Sequence, residues 1–322
     1  MRNVLDEIRL AAARVTSEAR WARIDHERLA DYADRLPREA FGAAGHQPDP
    51  GRHRVGDDEA TASFVITLDA INFGSGYFPY IRKRAGMSGY FTIATALREH
   101  VDREGPFTAE TLRAMTVERC AAIFDQPRDA PLAMELMQRF ADALVHLGEA
   151  LSERYDGSFS ALVQSAQGSA AALVCELDRI PEFHDVATYH GYEVPLYKRA
   201  QITAYDLSEA FGGEGLGHFR DLDRLTMFAD NLVPHVLRVD GVLVFDPSLV
   251  ACIEAGDDIP SGSEPEVEIR AVALHAVELL VERLRAAGHD VTAGWLDSVL
   301  WNRGAGEQYK AVPRHRTRCV YY

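Results

Sequence analysis

The chain has 322 residues, and its 49 acidic against 34 basic side chains give a formal charge of −15; such a surface repels polyphosphate, which excludes a protein that grips DNA or RNA along its length. At 47% apolar and 26% charged residues the composition is that of a globular protein with a substantial core. Four scattered cysteines, acids within the first ten residues and no apolar run near the roughly 18–20 residues that span a bilayer point to a soluble, cytoplasmic protein without a membrane partner.

Val4, Leu5, Ile8 and Val15 fall on one face of a first helix, and Leu29, Tyr32 and Leu36 mark a second. The polar stretch Gly45–Asp58 reads as a loop. Ala62–Phe73 (A-S-F-V-I-T-L-D-A-I-N-F) is almost continuously apolar and must be buried, with strand and helix both open. Periodicity predicts helices at about 91–103, 108–124, 131–154, 158–179, 196–211, 247–255, 264–287 and 292–302. The second-last of the long amphipathic runs carries Val267, Val277 and Leu284 on its apolar face; in 131–154 the stripe is Leu132, Leu136, Phe140, Leu144 and Leu147. Asp221 and Asp223 read as cap and first-turn residues of a further helix that ends near Asp230. Only Val236–Phe245 (V-L-R-V-D-G-V-L-V-F) looks like sheet, with Asp240-Gly241 as a hairpin turn. The expected fold is therefore mainly α: one helical domain over 1–322, its N-terminal helices (residues 1–60) packing on the core, with a small β-hairpin insertion.

Familiar motifs can be set aside. Gly212–Gly217 (G-G-E-G-L-G) follows a helix rather than a strand, so it reads as a helix-terminating loop and not a dinucleotide fingerprint. The twelve histidines contain no H-E-x-x-H, and His184 and His190 lie off helical register for a metal pair. No metal or cofactor is expected.

Three segments carry chemistry. In Pro195–Leu237 a lysine, Lys198, and a carboxylate, Asp230, sit among tyrosines and bulky apolar residues, where ionisable groups are either paired or employed. At the end of its predicted helix Asp230 faces an unfavourable dipole, so its charge calls for Lys198, a hydrogen-bond donor or a ligand. Leu68–Tyr80 runs into Asn72, Phe73, Gly74, Ser75, Gly76 and Tyr77: glycines allow close approach, Phe73 and Tyr77 can stack on a heterocycle, and Asn72 and Ser75 can read its edge. The competing reading is a turn between buried helices with Phe73 as core. At the C-terminal side, Arg314, His315, Arg316 and Arg318 form one basic cluster suited to a phosphate, and the apolar Cys319–Tyr322 predicts a docked tail.

Taken together, Leu68–Phe78 (L-D-A-I-N-F-G-S-G-Y-F), Leu196–Ile202 (L-Y-K-R-A-Q-I), Leu225–Asp230 (L-T-M-F-A-D) and Pro313–Tyr322 (P-R-H-R-T-R-C-V-Y-Y) resemble the queuosine salvage proteins, the queuosine 5′-monophosphate N-glycosylases, over nearly the whole chain. Asn231-Leu232 departs from that pattern, which has an aromatic and a basic residue there. The resemblance implies a helical fold like that of the helix-hairpin-helix DNA glycosylases and hydrolysis of the N-glycosidic bond of queuosine 5′-monophosphate, releasing queuine for tRNA modification. It implies Asp230 and Lys198 as catalytic residues. The implied substrate contacts are Asn72, Phe73, Gly74, Ser75, Tyr77, Arg199, Asp206, His315 and Arg316, with Asp69 and Asp185 as anionic partners for the base's secondary ammonium. A non-catalytic carrier of a modified purine is the alternative.

Overall fold

The computed structural model describes residues 3–36 and 54–322; of the expected loop at Gly45–Asp58, residues 45–53 lie outside these. In chain order the described elements are α1 (Val4–Glu18), β1 (Ala22–Ile24), α2 (His26–Arg35), α3 (Asp58–Ala70), α4 (Gly89–Glu104), α5 (Ala109–Arg113), α6 (Val117–Ile123), α7 (Pro131–Arg154), α8 (Phe159–Ser165) and α9 (Ala170–Leu177). There follow β2 (Val186–Tyr189), β3 (Tyr192–Pro195), α10 (Lys198–Phe211), α11 (Leu232–Val239), β4 (Leu243–Phe245), α12 (Pro247–Ala255), α13 (Glu264–Ala286), α14 (Ala293–Arg303) and α15 (Glu307–Lys310). The protein is mainly α, as expected. Its contacts group into two units: unit 1 comprises 1–47, 185–198 and 221–317, and unit 2 comprises 48–184, 199–220 and 318–322.

Unit 1 is built round α13, which is buried on every face from Glu266 to Leu274 rather than along one stripe. Leu5, Ile8, Ala12 and Val15 of α1 pack along it, as do α2 and α14. Three charges lie in that apolar run, and each is satisfied. Glu268 Oε2 accepts the backbone N–H groups of Arg20, Trp21 and Ala22 (2.9, 2.6 and 3.1 Å), and its Oε1 accepts the Tyr189 hydroxyl at 2.8 Å. One buried carboxylate thus ties the chain before β1 and the end of β2 to the central helix.

The strands correct the sequence reading. Val236–Phe245 is not a hairpin. Val233, Val236 and Leu237 share the buried face of α11, and Asp240-Gly241 ends that helix: Gly241 has φ +80° and Val242 N donates to Leu237 O at 2.8 Å. Packing overrides the β preference of the valines, and Asp-Gly serves as a helix stop. β4 instead pairs antiparallel with β1, Ala22 opposite Phe245. The actual hairpin is β2–β3, turning at His190-Gly191, both at positive φ (46° and 84°), the backbone of a type I′ turn.

Unit 2 is built round α7, whose first turn starts at Pro131 and whose buried side includes Leu136, Phe140, Leu144, Leu147 and Leu151. α5 crosses it so closely that a Cβ at Gly148 would lie 2.7 Å from both Ala109 O and Arg113 N. Ala62–Ala70, left open between strand and helix, is helical: Asp57 Oδ1 caps α3 by accepting from Ala60 N at 2.9 Å. Two predicted long helices are each divided by a hydroxyl cap, Thr116 accepting from Arg119 N and Ser169 from Ala172 N.

Candidate active site

Eight of the sequence-derived residues lie in unit 2. Asp69 is fully buried near the end of α3, and its Oδ1 accepts from Asn72 Nδ2 at 3.3 Å. Arg199 is also buried; its guanidinium donates to the carbonyls of Asp69, Ala70 and Glu182 and lies 5.0 Å from the Phe73 ring centroid and 4.7 Å from that of Phe183. It closes the carbonyl end of α3, where a cation is favoured. Phe73, 3% exposed, meets Phe140 edge-on at 5.1 Å. The structure places this ring in packed interior, the alternative the sequence left open. Gly74 has φ +107°, and a Cβ there would come within 2.8 Å of Leu136 Cδ1; the close approach its missing side chain permits is to α7. Gly74 N donates to Tyr322 O at 3.0 Å, and Ser75 N and Oγ reach the same atom at 3.4 and 3.5 Å. With Cys319 and Tyr322 buried, the expected docked tail is present. Tyr77 donates its hydroxyl to Glu135 at 2.6 Å and accepts from Arg139 Nε at 2.8 Å. Burial, with the neighbouring Glu135, raises its pKa to about 12. Asp206 is half-buried on α10.

The other five lie in unit 1, where the chemistry concentrates. Asp230 is not at the end of a helix. After a short 3-10 turn at Leu222–Arg224 the chain has no regular secondary structure from Leu225 to Asp230, turning tightly at Ala229 where Asp230 N donates to Phe228 O at 2.6 Å, and α11 begins after it. Oδ1 of Asp230 accepts from Leu232 N at 2.8 Å and Val233 N at 3.0 Å. The dipole argument is therefore reversed: Asp230 stands at the positive end of α11, and backbone donors hold its charge. It is half-buried. Asp221 and Asp223 belong to the 3-10 turn and cap no α-helix.

Around Asp230 the structure gathers Arg314 of the basic cluster and two groups the sequence reading missed, Asp297 and Arg270. Asp297 on α14 is 5% exposed and accepts from Phe228 N at 3.0 Å. Burial first, and then the negative charge of Asp230, push its carboxyl well above the usual range, while Lys198 pulls it back. Arg314 is lowered by burial and partly restored by Asp230. Arg270 of α13 is 1% exposed: Nη1 and Nη2 grip Asp185 Oδ1 and Oδ2 at 2.9 and 2.6 Å, and Nε donates to Ala229 O at 2.8 Å. Asp185 Oδ2 also accepts Lys198 N at 3.1 Å. Its charge is thus already matched inside the protein, which removes the ground for pairing it with a substrate amine. Lys198 is itself buried and follows Tyr197, a non-glycine residue at φ +47°. The missed signal was available: charges at 266, 268, 270 and 297 interrupt otherwise apolar helices.

The basic cluster divides. His315 is buried and its pKa lies well below the ordinary value, because of burial and then the nearby Arg314. Its carbonyl accepts Asn231 Nδ2 at 3.3 Å. Arg316 is half-buried, its guanidinium against Gly256 at the carbonyl end of α12, and its own carbonyl accepts Ile259 N at 2.8 Å. Arg318, in unit 2, is 3.9 Å from Glu135. Among the described residues no group of His, Cys, Asp and Glu is arranged to hold a metal ion, and no helix is long and apolar enough to cross a membrane.

His235, next to this region on α11, gives a pH prediction. Burial lowers its pKa from 6.5 to about 4, while its Nε2 lies 2.8 Å from Tyr309 O. The folded value is below the unfolded one, so this contribution to stability is complete above about pH 6.5 and is lost as pH falls towards 4. At about 1.4 kcal/mol per pKa unit the loss is roughly 2–3 kcal/mol by pH 4.5. His235→Gln, which keeps a donor for Tyr309 O, should flatten the acid limb of unfolding free energy by that amount; parallel urea-melt profiles for the two proteins would refute it.

Comparison with known proteins places these residues in context. The family model described as "Queuosine salvage protein" matches residues 52–322. The queuosine 5′-phosphate N-glycosylase/hydrolase of Sphaerobacter thermophilus is 38% identical over 317 residues, covering 96% of this chain and 95% of that protein. The protein of the same description from Mus musculus is 31% identical, covering 83% of each chain, and that from Schizosaccharomyces pombe is 27% identical, covering 82% of this chain and 84% of its own.

Proposed function

This chain belongs to the queuosine salvage protein family, and from that premise we propose that it hydrolyses the N-glycosidic bond of queuosine 5′-monophosphate, with Asp230 at the centre of the reaction. It is a hydrolase of an N-glycosyl bond. Water adds to C1′, the bond from C1′ to the base nitrogen breaks, and the products are queuine and ribose 5-phosphate. The observation that carries the reading is Asp230 itself. Oδ1 is fixed by two backbone N–H groups, and Lys198, Arg314 and Asp297 share its electrostatic surroundings.

An N-ribosyl bond breaks with oxocarbenium character at C1′, and a fixed, half-buried carboxylate stabilises that charge or orients the attacking water. The 7-deazaguanine base lacks N7, so acid assistance at that atom is closed and the departing base must be stabilised by hydrogen bonds along its edge. Lys198 and Arg316 are the proposed phosphate contacts. The chain's net charge of −15 suits a small substrate better than a tRNA, so the free nucleotide is the proposed ligand and queuine, for tRNA modification in the cytoplasm, the product.

Incubating the protein with queuosine 5′-monophosphate should release queuine and ribose 5-phosphate in equal amounts; binding without release would replace the hydrolase by a carrier. Charge-assisted phosphate contacts are worth about 1.5–3 kcal/mol. The monophosphate should therefore exceed the free nucleoside in kcat/KM by roughly ten- to hundred-fold, and equal values would exclude a phosphate site.

A further inference from the structure

We propose that the buried Asp185–Arg270 pair is a positioning bridge that sets the segment bearing Asp230 against the start of the helix bearing Lys198. This rests on the reading of Asp230 as the reacting carboxylate. The two residues come from segments more than thirty positions apart in sequence, and one continuous set of contacts within unit 1 joins them. Lys198 N donates to Asp185 Oδ2 (3.1 Å), both Asp185 oxygens are held by the Arg270 fork (2.9 and 2.6 Å), and Arg270 Nε donates to Ala229 O (2.8 Å), the carbonyl immediately before Asp230.

Each link has the chemistry for rigidity rather than for substrate contact. Arg270 and Asp185 are both buried, at 1% and 3% exposure. A guanidinium offers planar donors in a fixed fork, so one side chain clamps a carboxylate and a carbonyl in a single geometry, which an ammonium cannot do. The same segment is also held by Asp297, which accepts Phe228 N at 3.0 Å. Residues 228 and 229 are thereby fixed from α14 and from α13, and Asp230 follows with its own Oδ1 tied to α11. Displacing a reacting group by about 1 Å can cost on the order of a hundred-fold in rate, so a bridge that fixes backbone on both sides acts on turnover without touching substrate. Arg270 and Asp185 are positioning residues in this scheme.

Arg270→Lys keeps the charge and loses the fork. The double variant Asp185→Leu/Arg270→Met removes both charges of the pair; Glu266, whose Oε1 lies 3.5 Å from Arg270 Nη1, loses that cation but keeps the Gly262 N–H at 3.1 Å. The control is Glu268→Gln, a buried acid two positions away on α13 that lies outside the bridge. Kinetics on queuosine 5′-monophosphate, well below each variant's melting temperature, should show kcat reduced at least ten-fold in Arg270→Lys and in the double variant, with KM within about three-fold of the parent. Glu268→Gln should melt earlier yet keep its kcat. Parental kcat in folded Arg270→Lys or in the folded double variant overturns the bridge, as does a failure of both to fold, which would make the pair a stability element. Asp230→Asn assayed alongside separates the two levels: if it turns over normally, the reading of Asp230 fails; if it is inactive while Arg270→Lys is fully active, only the bridge fails.

Discussion

Asp230→Asn should lower kcat for queuosine 5′-monophosphate by about a hundred-fold or more while leaving the fold intact. The structure explains why the two effects separate. Oδ1 accepts the N–H groups of Leu232 and Val233, and an asparagine carbonyl oxygen can accept both, so the start of α11 keeps its cap. What is lost is the negative charge, which matters most when positive charge develops at C1′; removing one such contact typically costs a hundred- to thousand-fold. Substrate affinity, measured by equilibrium binding, should change far less than turnover. A variant that turns over at the parental rate would reduce Asp230 to a helix cap and send the search to Asp69 or Asp206.

Phe73→Ala should destabilise the protein by about 3–5 kcal/mol, the usual cost of emptying a buried phenyl site. The ring is enclosed, packs edge-to-face on Phe140, which in turn meets Phe124 at 5.4 Å, and has the Arg199 guanidinium 5.0 Å from its centroid. Its removal opens a cavity and deprives a buried cation of one of its two aromatic neighbours, leaving Phe183. Such a loss is a large fraction of ordinary folding stability, so it should appear as a markedly lower melting temperature, with KM nearly unchanged for the protein that remains folded. A raised KM at an unchanged melting temperature would return Phe73 to base stacking.

Much of this was legible before any coordinates, for reasons particular residues show. The bounds of α7 and α12 coincide with those read from periodicity, because Pro131 and Pro247 mark both starts. The docked tail was legible in the apolar character of Cys319–Tyr322. The hairpin was misplaced because β-branched residues at helical spacing look like strand until a neighbour buries them, whereas His190-Gly191 is a weaker hairpin signature than Asp240-Gly241. For the site, side-chain type was legible and partnership was not. Asp185 and Arg199 stood out as ionisable groups in conspicuous segments; that one is clamped by Arg270 and the other closes the end of α3 depends on residues 85 and 130 positions away. Asp230 shows the same limit: local pattern placed it after a helix, and its backbone partners put it before one.

The crossing of α5 over α7 has a consequence for anyone seeking a hardier form of this enzyme. A glycine in the middle of a 24-residue helix is a natural target for repair, since replacing it by alanine in an unobstructed helix gains about 1 kcal/mol. At Gly148 the sign is reversed. The added methyl would meet backbone atoms of Ala109 and Arg113, which cannot swing aside as a flexible side chain can, so the two helices would have to part. Thermostability libraries drawn up from propensity or consensus alone should leave this position untouched and spend their diversity on the solvent side of α7.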